Sequence, residues 1–134
     1  MSEIITNKLT GKTAAGDVTI TSEGGAATMQ LQQGVVKAWA HVDGTGTPAT
    51  QDSFNISSLS DEGTGGMLMT CTNGFSALTS MVTSGGASNG TARTQGYSTS
   101  VFVKTSSQYW ISASWGTTIY DVQYMMGQVT GDLA

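Results

Sequence analysis

One histidine and one cysteine in 134 residues leave little room for side-chain chemistry. A serine–histidine–aspartate relay would have to run through His41. Serine and aspartate are too plentiful here to mark partners for it without geometry. The simpler reading places His41 as a polar residue on an exposed strand face. Zinc sites draw on several nitrogen and sulfur ligands, which His41 and Cys71 together cannot supply. Cys71 alternates with Met67 and Met69, so it reads as a core hydrophobe. The carboxylates Asp43, Asp52, Asp61, Glu62 and Asp121 fall mostly in turns, where aspartate braces the bend through nearby backbone groups. A calcium site built from such turn carboxylates stays open, since calcium asks only for oxygen ligands. Two glycine clusters, Gly44 with Gly46 and Gly63 with Gly65 and Gly66, lack the strand–loop–helix setting of a phosphate-binding loop. No catalytic residue, cofactor or metal is therefore assigned, and the chain is expected not to be an enzyme.

Aromatic side chains are the larger resource. Trp39, Trp110, Trp115, Tyr97, Tyr109, Tyr120 and Tyr124 are too many for one small core. One reading buries the surplus against a second sheet or a neighbouring subunit, because aromatics dominate interface energetics. The other makes them a sugar-stacking platform flanked by Asn, Gln and Asp. Spacing alone does not separate the two. Trp39, Trp110, Trp115, Tyr97 and Tyr120 are the candidates under either reading.

The elements that hold these residues read as strands. From Gly34 to Thr72, Val36, Ala38, Ala40 and Val42 share one face of an extended segment, with Val35, Lys37, Trp39 and His41 on the other. Asp43-Gly44-Thr45-Gly46 ends that strand. Phe54 and Ile56 mark a second strand, Asp61 to Gly66 a second turn, and Met67, Met69 and Cys71 a third strand. Phe75, Leu78, Met81 and Val82 form an apolar patch, and residues 83–96, holding the sole arginine Arg93, read as a loop. Strands follow over Tyr97 to Lys104 and Tyr109 to Trp115. A last one spans Ile119 to Met126, with Tyr120, Val122, Tyr124 and Met126 aligned. About seven strands with turns every 8–12 residues predict an all-β, antiparallel sandwich or jelly roll over residues 34–134.

Residues 1–33 differ in texture. Ile4, Ile5 and Leu9 precede the Gly11–Asp17 turn, Val18–Thr21 and Thr28–Gln32 read as strands, and a turn lies at Glu23–Ala26. This strand–turn segment has too few large side chains to bury a core alone. The start lacks the basic residues and long apolar run of a signal peptide. No stretch approaches the roughly 18 apolar residues of a membrane span, so no membrane insertion is expected. Composition adds limits. Charged residues make up 10% and the net charge is −4, which argues against a nucleic-acid partner. Ser, Thr and Gly dominate, so the core is thin, and a single cysteine rules out an internal disulfide. Self-association is the usual remedy for a core of this kind.

Several of these residues also resemble a known pattern. Lys37-Ala38-Trp39, Asp43-Gly44-Thr45-Gly46, Ser53-Phe54-Asn55-Ile56-Ser57-Ser58 and Asp61-Glu62-Gly63-Thr64-Gly65 occur in the order seen in a β-domain of bacteriophage tail-fibre-like structural proteins. The ending Gly131-Asp132-Leu133-Ala134 is similar to theirs as well. His41, Asp43 and Glu62 depart from the usual asparagines, and Met67, Met69 and Cys71 stand where aromatic and branched residues are more common. The resemblance implies a virion protein, a homotrimer, with residues 1–33 as an attachment arm or short stem. Ile4, Ile5 and Leu9 would then contact other virion proteins of the capsid or tail. A host-surface glycan is the implied partner of the exposed domain. A capsid decoration or cement protein is the alternative reading, and a free carbohydrate-binding module the second.

Overall fold

The computed structural model describes residues 4–14, 18–21, 24–25, 27–90 and 97–134. The chain divides into two compact units, Met1–Val35 and Val36–Ala134.

In the first unit, β1 (Thr19–Thr21) and β2 (Thr28–Gln30) form an antiparallel hairpin with Ile20 opposite Met29. A short 3-10 turn, Leu31–Gly34, follows, and the Leu31 amide donates to the Val18 carbonyl at 2.7 Å. Every residue of both strands is exposed, as three-residue strands with threonine at half their positions would dictate. Ile4 and Ile5 are 84% and 85% exposed, and Leu9 60%. Residues 4–14 form no strand, contrary to the strand–turn expectation for the start of the chain. The expected turns at Gly11–Asp17 and Glu23–Ala26 lie partly outside the described residues.

The second unit is all-β with antiparallel pairing throughout. Its strands are β3 (Val36–Asp43), β4 (Ala49–Phe54), β5 (Ile56–Asp61), β6 (Gly66–Cys71), β7 (Met81–Ser88), β8 (Ser98–Thr105), β9 (Gln108–Trp115), β10 (Thr118–Ile119) and β11 (Tyr124–Gly131). One sheet runs β4-β3-β11-β7. In the other, β5, β6, β9 and β8 lie in that order, and the two-residue β10 pairs with the end of β9. Alternation along the strands turns one face of each sheet inward. Ala38, Ala40, Val42, Met125 and Val129 come from the first sheet, and Met67, Met69, Cys71, Tyr109, Ile111 and Ala113 from the second. Small residues on one side meet large ones on the other. At Gly127 of β11, a Cβ would come within 2.8 Å of the Ile111 side chain. Close packing of this kind needs a glycine there.

One corner gathers three of the segments that carry the resemblance. Asn55 adopts φ 59°, a left-handed conformation that asparagine tolerates, and this turns the chain from β4 in one sheet to β5 in the other. Its amide nitrogen donates to the carbonyls of Lys37 and Asn73, both at 3.0 Å, and its side-chain oxygen accepts from the Asn73 backbone amide at 2.7 Å. Lys37 is buried, which pushes its pKa down, while the Asp132 carboxylate pushes it back up. Phe75 bridges Leu133, and the Ser76 amide donates to the Asp132 carbonyl. The K-A-W, S-F-N and G-D-L-A segments therefore meet in space. At another edge Ala87 bridges Tyr97, and the Thr83 hydroxyl donates to the Val101 carbonyl, joining β7 to β8.

Four expectations need correction. Phe54 and Ile56 do not share a strand, because Asn55 between them reverses the local backbone and sends each to a different sheet. Residues 83–88 of the expected loop belong to β7, fully paired with β11, while 91–96 lie outside the described residues. One of the glycines that suggested a loop, Gly85, instead allows close approach: a Cβ there would collide with the Met126 carbonyl and Val101. The last strand begins at Tyr124, and its inward residues are Met125 and Val129, with Met126 exposed. Gly127 occupies an inward position without an apolar side chain to announce it, and that hid the register. Finally, Phe75 and Met81 are buried while Leu78 and Val82 are exposed, so those four residues form no single patch.

Candidate binding surfaces

The five aromatic candidates fall in three places. Tyr97, Trp115 and Tyr120 cluster where β8 begins and β9 ends, with edge-to-face contacts at 5.9 Å from Tyr97 to each of the other two. Trp110 stands on the outer face of the second sheet. Its cross-strand neighbour Phe102 stacks against it at 5.7 Å, and the Lys104 ammonium lies 5.4 Å from the indole centre. Trp39 lies on the outer face of the first sheet, since its neighbours Ala38 and Ala40 point into the core. Ile4, Ile5 and Leu9 belong to the other unit.

Register builds a concave surface beside Trp39. Across three strands, Ser84, Gln128 and Trp39 form one row, with Phe54 of β4 extending it. The adjacent outward row is Gly86, Met126 and His41. Because Gly86 has no side chain, the second row is notched, and a groove of about 460 Å³ opens between Trp39, Gln128, Ser84, Met126 and the Gly85–Gly86 backbone. Gln128 Nε2 donates to Ser84 Oγ at 3.0 Å. Neither Phe102, Lys104, Gln128, Ser84 nor Gly86 stood out in the sequence. Ser84 and Gly86 were hidden inside an apparent loop, and Gln128 lay beyond the expected end of the last strand.

Of the groups considered for chemistry, four aspartates brace nearby backbone, while His41 Nε2 and the Cys71 thiol are buried. His41 Nε2 is buried without a hydrogen-bond partner among the described residues, and the ring lies 5.6 Å from that of Tyr124. Cys71 is buried, and burial pushes its thiol pKa up. Asp43 accepts from the Thr45 hydroxyl at 2.6 Å and the Thr45 amide at 2.9 Å, which hold its carboxyl below the ordinary value. Asp61 braces Gly63, Asp121 braces Gly65, and Asp52 accepts from the Ser53 amide. Among the described residues, no three His, Cys, Asp or Glu side chains come together as a metal-binding group. No helix among them is long and apolar enough to cross a membrane. Compared with protein-family models, curated proteins and solved structures, the chain gives no significant match.

Proposed function

We propose that this chain is a structural protein of a bacteriophage virion, a short fibre-like component that acts by contact rather than by catalysis. The observation that carries the reading is the ordered set K-A-W, D-G-T-G, S-F-N-I-S-S and D-E-G-T-G, with its terminal G-D-L-A. In this reading the second unit is a trimeric sandwich or jelly-roll domain exposed on the particle, and residues 1–33 are its attachment arm. Support for the arm comes from Ile4, Ile5 and Leu9, large apolar residues left in water by the chain's own fold. Their burial against capsid or tail proteins would be favourable at about 25 cal/mol per Å². Support for self-association comes from Trp115 and Tyr120, each more than two-fifths exposed on a unit of modest size.

Gradient-purified particles from a host producing the protein provide the test. Quantitative mass spectrometry is expected to find the chain at a fixed copy number per major capsid protein. Recovery only in the particle-free fraction would reject the reading.

A further inference from the structure

We infer that the groove between Trp39 and Gly86 is a binding site for an uncharged saccharide. Among the described residues, none of the side chains that line it ionises, which disfavours phosphate, acidic sugars and nucleic acid as ligands. Its polar groups are instead an amide and a hydroxyl, the pair suited to sugar hydroxyls. One Gln128 Nε2 hydrogen goes to Ser84 Oγ, so the second Nε2 hydrogen and the Ser84 hydroxyl remain to donate and Gln128 Oε1 remains to accept. Trp39 and Met126 add apolar surface for the C–H face of a pyranose ring. The volume, about 460 Å³, lies within the range of small-ligand sites.

Gly86 is what opens the groove. It points outward from the pairing with Met126, its φ is not in the left-handed region, and a Cβ there would meet only Met126 Cε at 3.9 Å. Backbone geometry therefore does not demand glycine at this position. The missing side chain leaves a notch where ligand atoms can approach the strand. Gly85 next to it points into the core, where a Cβ would collide. Of the two adjacent glycines, one serves packing and the other leaves the space.

This inference rests on the virion reading only for where the sugar would be met. Binding itself is tested on the purified full chain. A neutral-glycan array, followed by tryptophan-fluorescence titration with methyl glucopyranoside, galactopyranoside and mannopyranoside, supplies the probes. Binding to at least one neutral hexose is expected, weakened about tenfold or more in Gly86→Leu and in Gln128→Ala. Melting of Gly86→Leu should match the parent, because the added side chain enters open space. Four results would overturn the assignment: no neutral glycan bound at millimolar concentration, binding confined to acidic glycans, binding undiminished in Gly86→Leu, or loss of self-association in Gly86→Leu with sugar binding intact. Absence of the chain from purified particles would reject the virion reading and leave this result standing.

Discussion

Tyr109 is the most informative single residue in the core. It is fully buried, and its hydroxyl finds no hydrogen-bond partner among the described residues. An unpaired buried hydroxyl costs about 1–3 kcal/mol. Tyr109→Phe is therefore expected to leave stability unchanged or to raise it, measured by urea unfolding. A loss of more than about 1 kcal/mol would mean that the hydroxyl is hydrogen-bonded. Burial also pushes the Tyr109 phenol up, with the Cys71 thiol adding to the effect, and burial raises Cys71 itself. Both folded-state values exceed the unfolded ones, so the unfolded chain gives up its protons first on the alkaline side. Stability from these two groups is complete below the ordinary thiol range and falls as pH rises beyond it. Urea midpoints should stay level to about pH 8 and decline above about pH 9. In the Cys71→Ala/Tyr109→Phe double variant the decline should flatten, from a baseline lowered by the lost sulfur. An equally steep decline would assign the alkaline loss to other groups. Cys71 was legible as a core residue because it alternates with Met67 and Met69. The unpaired hydroxyl of Tyr109 was not, because sequence records a side chain's chemistry but not its partners.

At the scale of elements, strands with apolar side chains on the inward face were readable, and those with glycine there were not. β3, β6 and β9 announce themselves through Ala38-Ala40-Val42, Met67-Met69-Cys71 and Tyr109-Ile111-Ala113, all buried. β7 and β11 pair through Gly85 and Gly127 at mid-strand, which removes the periodic signal from both partners at once. The five aromatic candidates were legible as surplus to the core, yet their separation into three places depends on sheet order. Asn55 joins the two sheets and is the element-level residue with most at stake. Asn55→Ala loses the hydrogen bonds to Lys37 and Asn73 and must hold φ 59° with a Cβ. A cost of about 2–4 kcal/mol is expected. Asn55→Gly keeps the backbone freedom and loses only the hydrogen bonds, so it should cost measurably less than Asn55→Ala. Equal losses in the two variants would place the whole contribution in the side-chain hydrogen bonds and none in the backbone conformation.

At the scale of the whole molecule, the proposed arm and the aromatic-rich β-domain would work together in an assembly. Sedimentation equilibrium at micromolar concentration is expected to give three times the 13.8 kDa chain mass. A stable species at 13.8 kDa would remove the homotrimer. A chain beginning at Gly34 should lose its place on particles while its second unit still folds, because the arm and that unit are separate compact bodies. Wild-type occupancy by the shortened chain would take the attachment role from residues 1–33.

The claim that this is a virion protein of the fibre type is tested most directly by an electron cryo-microscopy map of purified particles at moderate resolution. Density is expected for a threefold cluster of the β-domain projecting from the capsid or tail surface, with the N-terminal unit at its root against another virion protein. Particles that contain the chain as isolated single copies, or that carry no such density at all, would contradict it.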